Sequence, residues 1–154
     1  MFPFTFSRTI EIPVADETTE SASKAISSLL SRRIKAEMPR SFTSNPHQIS
    51  FSGGVFRFVG SWNLLVSITY GVIDFMPTND KLLVSYKLWF MELFVLASLM
   101  TIFFGFLIFS SGLTIQNFSL VVALWFWFFV PAYIMAVARF HNVIKWAQKW
   151  ALRK

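Results

Sequence analysis

Apolar and polar residues alternate over the first stretch of the chain. Phe4, Phe6, Ile10, Ile12 and Val14 take even positions, and Thr5, Ser7, Thr9 and Glu11 take odd ones. A period of two predicts a half-buried strand over residues 2–14, with Arg8 interrupting its apolar side. The period then changes. Ala22, Ile26, Leu29, Leu30 and Ile34 recur at spacings of three and four, the stripe of an amphipathic helix. Asp16, Glu17 and Glu20 stand at its start and Arg32, Arg33 and Lys35 near its end, an order that complements the helix dipole. Pro39 closes it, and the basic run reads as a solvated helix end.

After a polar turn at Ser44-Asn45-Pro46, strand-like runs rich in Val, Ile, Phe and Tyr cover residues 48–51, 55–59, 64–75 and 81–88. Gly53-Gly54 and residues 60–63 and 77–80 separate them. Runs this close leave no room for crossover helices, so an antiparallel meander is expected. Residues 1–87 therefore read as one α+β domain, built as strand, helix and meander. Its last strand leads through Tyr86 and Lys87 into the next element without a linker.

From Leu88 the alternation stops. Residues 88–110 contain no Lys, Arg or Pro, and residues 118–138 contain no charge at all. At about 1.5 Å rise per residue, each can cross a hydrocarbon core of about 30 Å. A chain this short could not wrap two helices that are apolar on every side, so two transmembrane helices are expected. The uncharged residues 111–117 suit the loop of an antiparallel hairpin. Asn117-Phe118-Ser119 matches a glycosylation sequon, but it abuts the second span and reads as coincidence.

Composition removes several alternatives. Of 154 residues, 55% are hydrophobic and 14% charged, with a mean hydropathy of +0.54. Soluble domains carry about 25% charge, so disorder, collagen and coiled coil are excluded. The absence of Cys excludes a disulfide scaffold and thiolate chemistry. The net charge of +6 is unevenly spread. Residues 1–87 are nearly balanced, residues 88–138 hold only Glu92, and residues 139–154 hold Arg139, Lys145, Lys149, Arg153 and Lys154 with no acid. The positive-inside rule then puts both termini in the cytoplasm and residues 111–117 on the other side. Residues 2–6 are too short and polar for a signal peptide, so the hairpin itself is expected to direct insertion. A basic cluster that follows an apolar stretch suits an anionic bilayer face, and no nucleic-acid partner is expected.

Reactive constellations are missing from the pattern. His47 and His141 lie far apart in sequence, and neither has a second ligand at helical spacing. Gly53-Gly54 lacks the Lys and Ser/Thr of a phosphate loop and reads as a turn or bulge. Ser21, Ser23, Ser27, Ser28 and Ser31 are assigned to the helix's polar side, and Asp16-Glu17 to its start. No catalytic residue, metal or cofactor is expected, and the chain does not read as an enzyme.

Two sets of contacts do stand out. Glu92 is the only charge in either span, and an ionised carboxylate facing acyl chains is costly. A hairpin folded about Thr114 and Ile115 would set Glu92 opposite Val137, within reach of Arg139, as a structural ion pair. The same fold would bring Ala97, Thr101 and Gly105 against Ala132 and Ala136, a small-residue pattern that permits close approach. In residues 139–154, Lys145, Lys149 and Arg153 recur every fourth position beside Trp146 and Trp150. That tail reads as a basic amphipathic helix. It either extends the second span or bends onto the bilayer, with these five residues as membrane-surface contacts.

The segment 51–58 (FSGGVFRF), with Trp62-Asn63, Gly71 and Tyr86, resembles small bacterial membrane proteins in which a compact α+β module precedes two spans. The resemblance implies a layout and no active site. Two functions fit that layout. One is a non-catalytic accessory or scaffold subunit, partnered by the bilayer and by larger membrane-protein subunits or further copies of itself. The other is a membrane-tethered module that binds a lipid or hydrophobic ligand. A homo-oligomeric channel fits less well, because neither span offers a polar stripe for water.

Overall fold

A five-stranded antiparallel sheet carries two helices on one face, and no described helix packs on the other. The computed structural model describes residues 4–13, 19–55, 63–78, 81–110, 112 and 114–151. Its elements are β1 (Thr5–Pro13), α1 (Thr19–Ala36), β2 (Ser41–Asn45), β3 (Gln48–Ser52), β4 (Tyr70–Thr78), β5 (Lys81–Trp89), α2 (Met91–Phe109) and α3 (Ile115–Ala151). Strand order is β1-β5-β4-β3-β2. Thus β2 to β5 form an antiparallel meander in which β3, β4 and β5 fall on expected runs and β2 does not, and β1 pairs with β5, from Thr5 opposite Trp89 to Pro13 opposite Lys81. The fold is α+β.

Alternation along the strands sorts the two faces. Ile12, Ile49, Phe51, Ile73, Phe75, Leu82, Val84, Tyr86 and Leu88 are buried under the helices. Their neighbours in sequence make a mixed second face with Val72 and Leu83 among polar residues, where Thr9 and Ser85 share a 2.7 Å hydrogen bond and Gln48 donates to Asp74 at 2.7 Å. Gly71 lies opposite Phe51 in the β3–β4 register, and its missing side chain is the space the Phe51 ring occupies. Helix α1 buries Ile26, Leu30 and Ile34 as its stripe predicts. Ser23 and Ser27 are buried too, which corrects their assignment to the polar side. The Ser27 hydroxyl satisfies itself on the Lys24 carbonyl at 3.1 Å, so a small residue can sit at the contact without an orphaned group.

Two strand assignments change. Residues 41–45 form the edge strand β2, although the sequence reading assigns no strand there and begins its polar turn at Ser44. An edge strand exposed along most of its length gives no apolar alternation to detect. Conversely, residues 64–69 are not strand, and β4 begins at Tyr70. The Asn63 side-chain oxygen accepts the Leu65 N–H at 2.9 Å and starts a turn, while Leu65 and Ile68 are buried. A short apolar run cannot distinguish a buried turn from a strand. The run 55–59 lies, apart from Val55, outside the described residues, as do the helix start at Asp16 and tail residue Arg153.

Helices α2 and α3 leave the sheet as an antiparallel pair. The chain passes from β5 through Phe90 into α2 with no linker, and the Phe90 N–H bonds to the Phe4 carbonyl at 3.0 Å. At the far end Gly112 takes a positive φ of 124°, and Thr114 caps α3 by accepting the Asn117 N–H at 3.2 Å. The Asn117 amide donates to the Gly112 carbonyl at 2.6 Å, which employs the sequon residue in closing the loop. Both helices are long and apolar enough to cross a membrane.

The second apolar helix does not end at Ala138. It continues unbroken to Ala151, so the tail is the lower half of α3 rather than a segment bent at residue 139. The cause is packing. Phe140, Ile144 and Ala147 are buried against the module, and the Phe140 ring lies 5.6 Å from Phe51 and 5.5 Å from Tyr86.

Candidate functional site

The region where sheet, turn and helical pair meet holds two of the candidate residues, Glu92 and Arg139. Glu92 sits in the first turn of α2, where a carboxylate complements the helix dipole. Its own N–H donates to the Thr69 hydroxyl at 2.8 Å, so the turn before β4 caps α2 from outside. The Arg40 guanidinium donates to its carboxylate at 3.1 Å. Gly54 lies directly beneath with φ 113°, where any Cβ would strike the carboxylate. A Cβ at Gly53 would strike the Leu65 and Ile68 carbonyls. The Gly53-Gly54 pair is therefore the floor on which the turn and Glu92 rest.

Arg40, which the sequence reading passes over, is thus one partner of Glu92. The contacts between the two helices define their register. Phe90 meets Tyr133, Trp125 donates to the Ser98 hydroxyl at 3.3 Å, and Val121 lies 3.5 Å from where a Gly105 Cβ would be. That register sets Glu92 level with roughly residue 131 rather than Val137, and Arg139 about two helical turns further along. The small-residue stripe does face the partner helix, with Ala97, Thr101 and Gly105 all buried.

Arg139 lines a crevice of about 330 Å³ between the turn at residues 63–67 and α3, with Trp127, Pro131 and Met135 along its wall. A second crevice of about 260 Å³ lies between α2, α3 and the same turn. The two share Val66, Ser67, Phe128 and Ala132. Elsewhere on the helical pair packs an aromatic cluster in which Phe4 stacks on Phe94 at 3.9 Å and Trp125 on Phe129 at 5.0 Å.

Deeper in the module, the Tyr86 hydroxyl and His141 Nδ1 are 3.1 Å apart. Burial, the Arg8 guanidinium and the Lys145 ammonium together hold the His141 pKa below its ordinary value. Burial pushes the Tyr86 phenol up, with Arg8 opposing. Arg8 therefore belongs to a basic group on the helix-covered side of β1. Of the tail residues, Lys145, Trp146, Lys149 and Trp150 are exposed on the outer side of α3, with the two indoles 6.2 Å apart. Among the described residues, no three His, Asp or Glu side chains come together in a group that could hold a metal.

No protein-family model, curated protein or solved structure matches this chain. The likeness to bacterial two-span proteins accordingly rests on the segment 51–58, Trp62-Asn63, Gly71, Tyr86 and the layout.

Proposed function

We propose that this chain is a two-span membrane subunit with a non-catalytic, accessory or scaffolding role, its α+β module and both termini on the cytoplasmic side. One observation carries the reading. The module joins the apolar pair twice without a flexible linker, through β5 into α2 and through the unbroken α3. A module held this way has a fixed height and orientation relative to the bilayer, which suits a part that positions other subunits.

The apolar pair supports the membrane half of the reading. Ile102, Phe106 and Trp127 are 69%, 77% and 75% exposed, and the most apolar windows of α2 and α3 are only 22% and 11% buried. The core helices of a soluble protein would be covered. Tyr70 and Trp89, 5.1 Å apart beside the start of α2, are aromatics of the kind that settle at a headgroup boundary, and the Lys87 ammonium lies 5.0 Å from the Trp89 ring centre. Lys145 falls about 10 Å and Trp150 about 18 Å past Ala138 along a straight α3, so the first stands just beyond the headgroup layer and the second well into water.

Co-purification in mild detergent tests the role. A scaffold subunit brings a defined set of larger membrane proteins with it, and a chain that emerges alone overturns the reading. A Cys placed at Gly112 should be labelled from the outer side only.

A further inference from the structure

We infer that the crevice ending at Arg139 binds one anionic glycerophospholipid, its phosphate on the guanidinium and one acyl chain along α3. The inference rests on the membrane reading above and does not depend on any partner subunit. Its first support is the order of the lining residues. From Arg139 the wall passes Met135, Ala132 and Phe128 to Trp127, a run of twelve residues or about 18 Å of helix. The charge is at the module end, and the apolar wall runs toward the hairpin tip. A phospholipid with its headgroup on the module side has that same order of charge and hydrocarbon.

The second support is shape. Asn63 and Ser67 of the turn line the crevice across from α3, and the Asn63 amide is fixed there by donating to the Glu37 carbonyl at 2.7 Å. The neighbouring crevice, reached past Val66 and Ala132, adds Leu96 and Met100 as further hydrocarbon wall. Each volume, about 330 and about 260 Å³, is near the lower bound for a ligand site, which fits the buried part of a molecule whose remainder lies among other lipids. Charge complementarity selects the headgroup. A planar guanidinium matches phosphate oxygens in pairs, and neither crevice has a carboxylate among its described lining residues to neutralise a choline or ethanolamine.

The test uses the full chain, extracted in mild detergent, stripped of lipid and returned to mixed micelles of phosphatidylglycerol or phosphatidylcholine. Native mass spectrometry counts the lipids retained. The wild-type chain should hold one phosphatidylglycerol in preference to phosphatidylcholine. Arg139→Gln should lower phosphatidylglycerol retention about tenfold, the loss expected for one charged hydrogen-bonded contact, while Arg139→Lys keeps part of it. Val66→Phe, which fills the space shared by both crevices from the turn side, should lower retention of either lipid while the thermal midpoint is held. It decides the matter if Arg139→Gln does not fold. Equal retention by wild type and Arg139→Gln overturns the proposal. So does equal preference for the two lipids, or displacement by soluble glycerol phosphate, which would mark a free-anion site. A chain that stays in solution without detergent would instead defeat the membrane reading, so the two failures are distinguishable.

Discussion

The two halves of α3 share one buried stripe and differ in everything that faces outward. Phe129, Ala136, Phe140, Ile144 and Ala147 are buried in sequence along a single side of the helix. Over residues 115–135 the outward positions are Phe118, Leu120, Phe126, Trp127, Ile134 and Met135. Over residues 136–151 they are Asn142, Lys145 and Lys149, with Trp146 and Trp150 between. The upper half packs on α2, and the lower half packs on the sheet and α1. The inner face of a helix reports where the rest of the protein lies. Its outer face reports the solvent, and here the solvent changes partway along one continuous helix.

The comparison breaks most sharply at the buried stripe below the change. Phe140→Ala should cost about 3–5 kcal/mol, because it empties a fully packed site between Phe51 and Tyr86. Thermal unfolding in detergent measures it, and a loss under about 1 kcal/mol would mean that the lower half of α3 is not part of the module's core. A charge on the outer face of the pair is the next largest effect. Ile102→Arg, near the middle of α2, should cost about 2.5–3.5 kcal/mol of insertion free energy if that face meets hydrocarbon. In water the same exposed change would fall within about 0.5 kcal/mol. Wild-type insertion efficiency in a translocation assay would put this face in water.

The Arg40–Glu92 pair tests how the two regions are joined. The guanidinium is 53% exposed and the carboxylate 15%, so solvent screens the pair and its coupling should be about 1 kcal/mol at most. A double-mutant cycle of Arg40→Gln and Glu92→Gln measures it. The same cycle with Arg139→Gln should give the smaller coupling. A larger one would restore Arg139 as the main partner and shift the register of the helical pair.

The sequence carries the α+β class, the meander and both apolar helices because each is written as a periodicity over many residues. The stripe in α1 and the alternation in β5 belong to the same kind of signal. Features set by single contacts are invisible to it. The edge strand β2 has no buried face to alternate, and the buried turn at residues 64–69 is as apolar as a strand. The continuity of α3 past Ala138 was masked by its change of outer face, which resembles a domain boundary although the inner stripe persists. Glu92 stood out by being alone, but its partner Arg40 lies 52 residues away and is chosen by where the turn before β4 lands. The crevice at Arg139 has no sequence signal beyond a charge at the end of an apolar run.

A pH effect should arise from the lower half alone. The His141 pKa is held below its unfolded value of about 6.5, so the folded chain prefers the neutral ring. That stabilisation is present above pH 6.5 and is lost as the pH falls through the folded value, because the unfolded chain then binds more protons. The midpoint of unfolding should drop on acidification. His141→Gln should flatten that part of the profile, and Arg8→Gln should move the ring's titration upward in an NMR series. An unchanged titration in Arg8→Gln would place the guanidinium's influence elsewhere.

The smallest expected effect separates Lys145 from Lys149. Both are exposed on the outer face of α3, four residues and about 6 Å of helix apart. At about 10 Å past Ala138, Lys145 lies just beyond the headgroup layer, while Lys149 lies about 6 Å further into water, most of a Debye length. A Lys near an anionic surface contributes about 1 kcal/mol, and the contribution decays over that length. Lys145→Gln should therefore weaken the preference of the reconstituted chain for anionic over neutral bilayers by up to about 1 kcal/mol, and Lys149→Gln by only a fraction of that. Equal losses would mean that α3 tilts or bends at the bilayer and lays its basic side along it. No loss from either would mean that the lower half of the helix stands clear of the membrane and offers its paired indoles to a different surface.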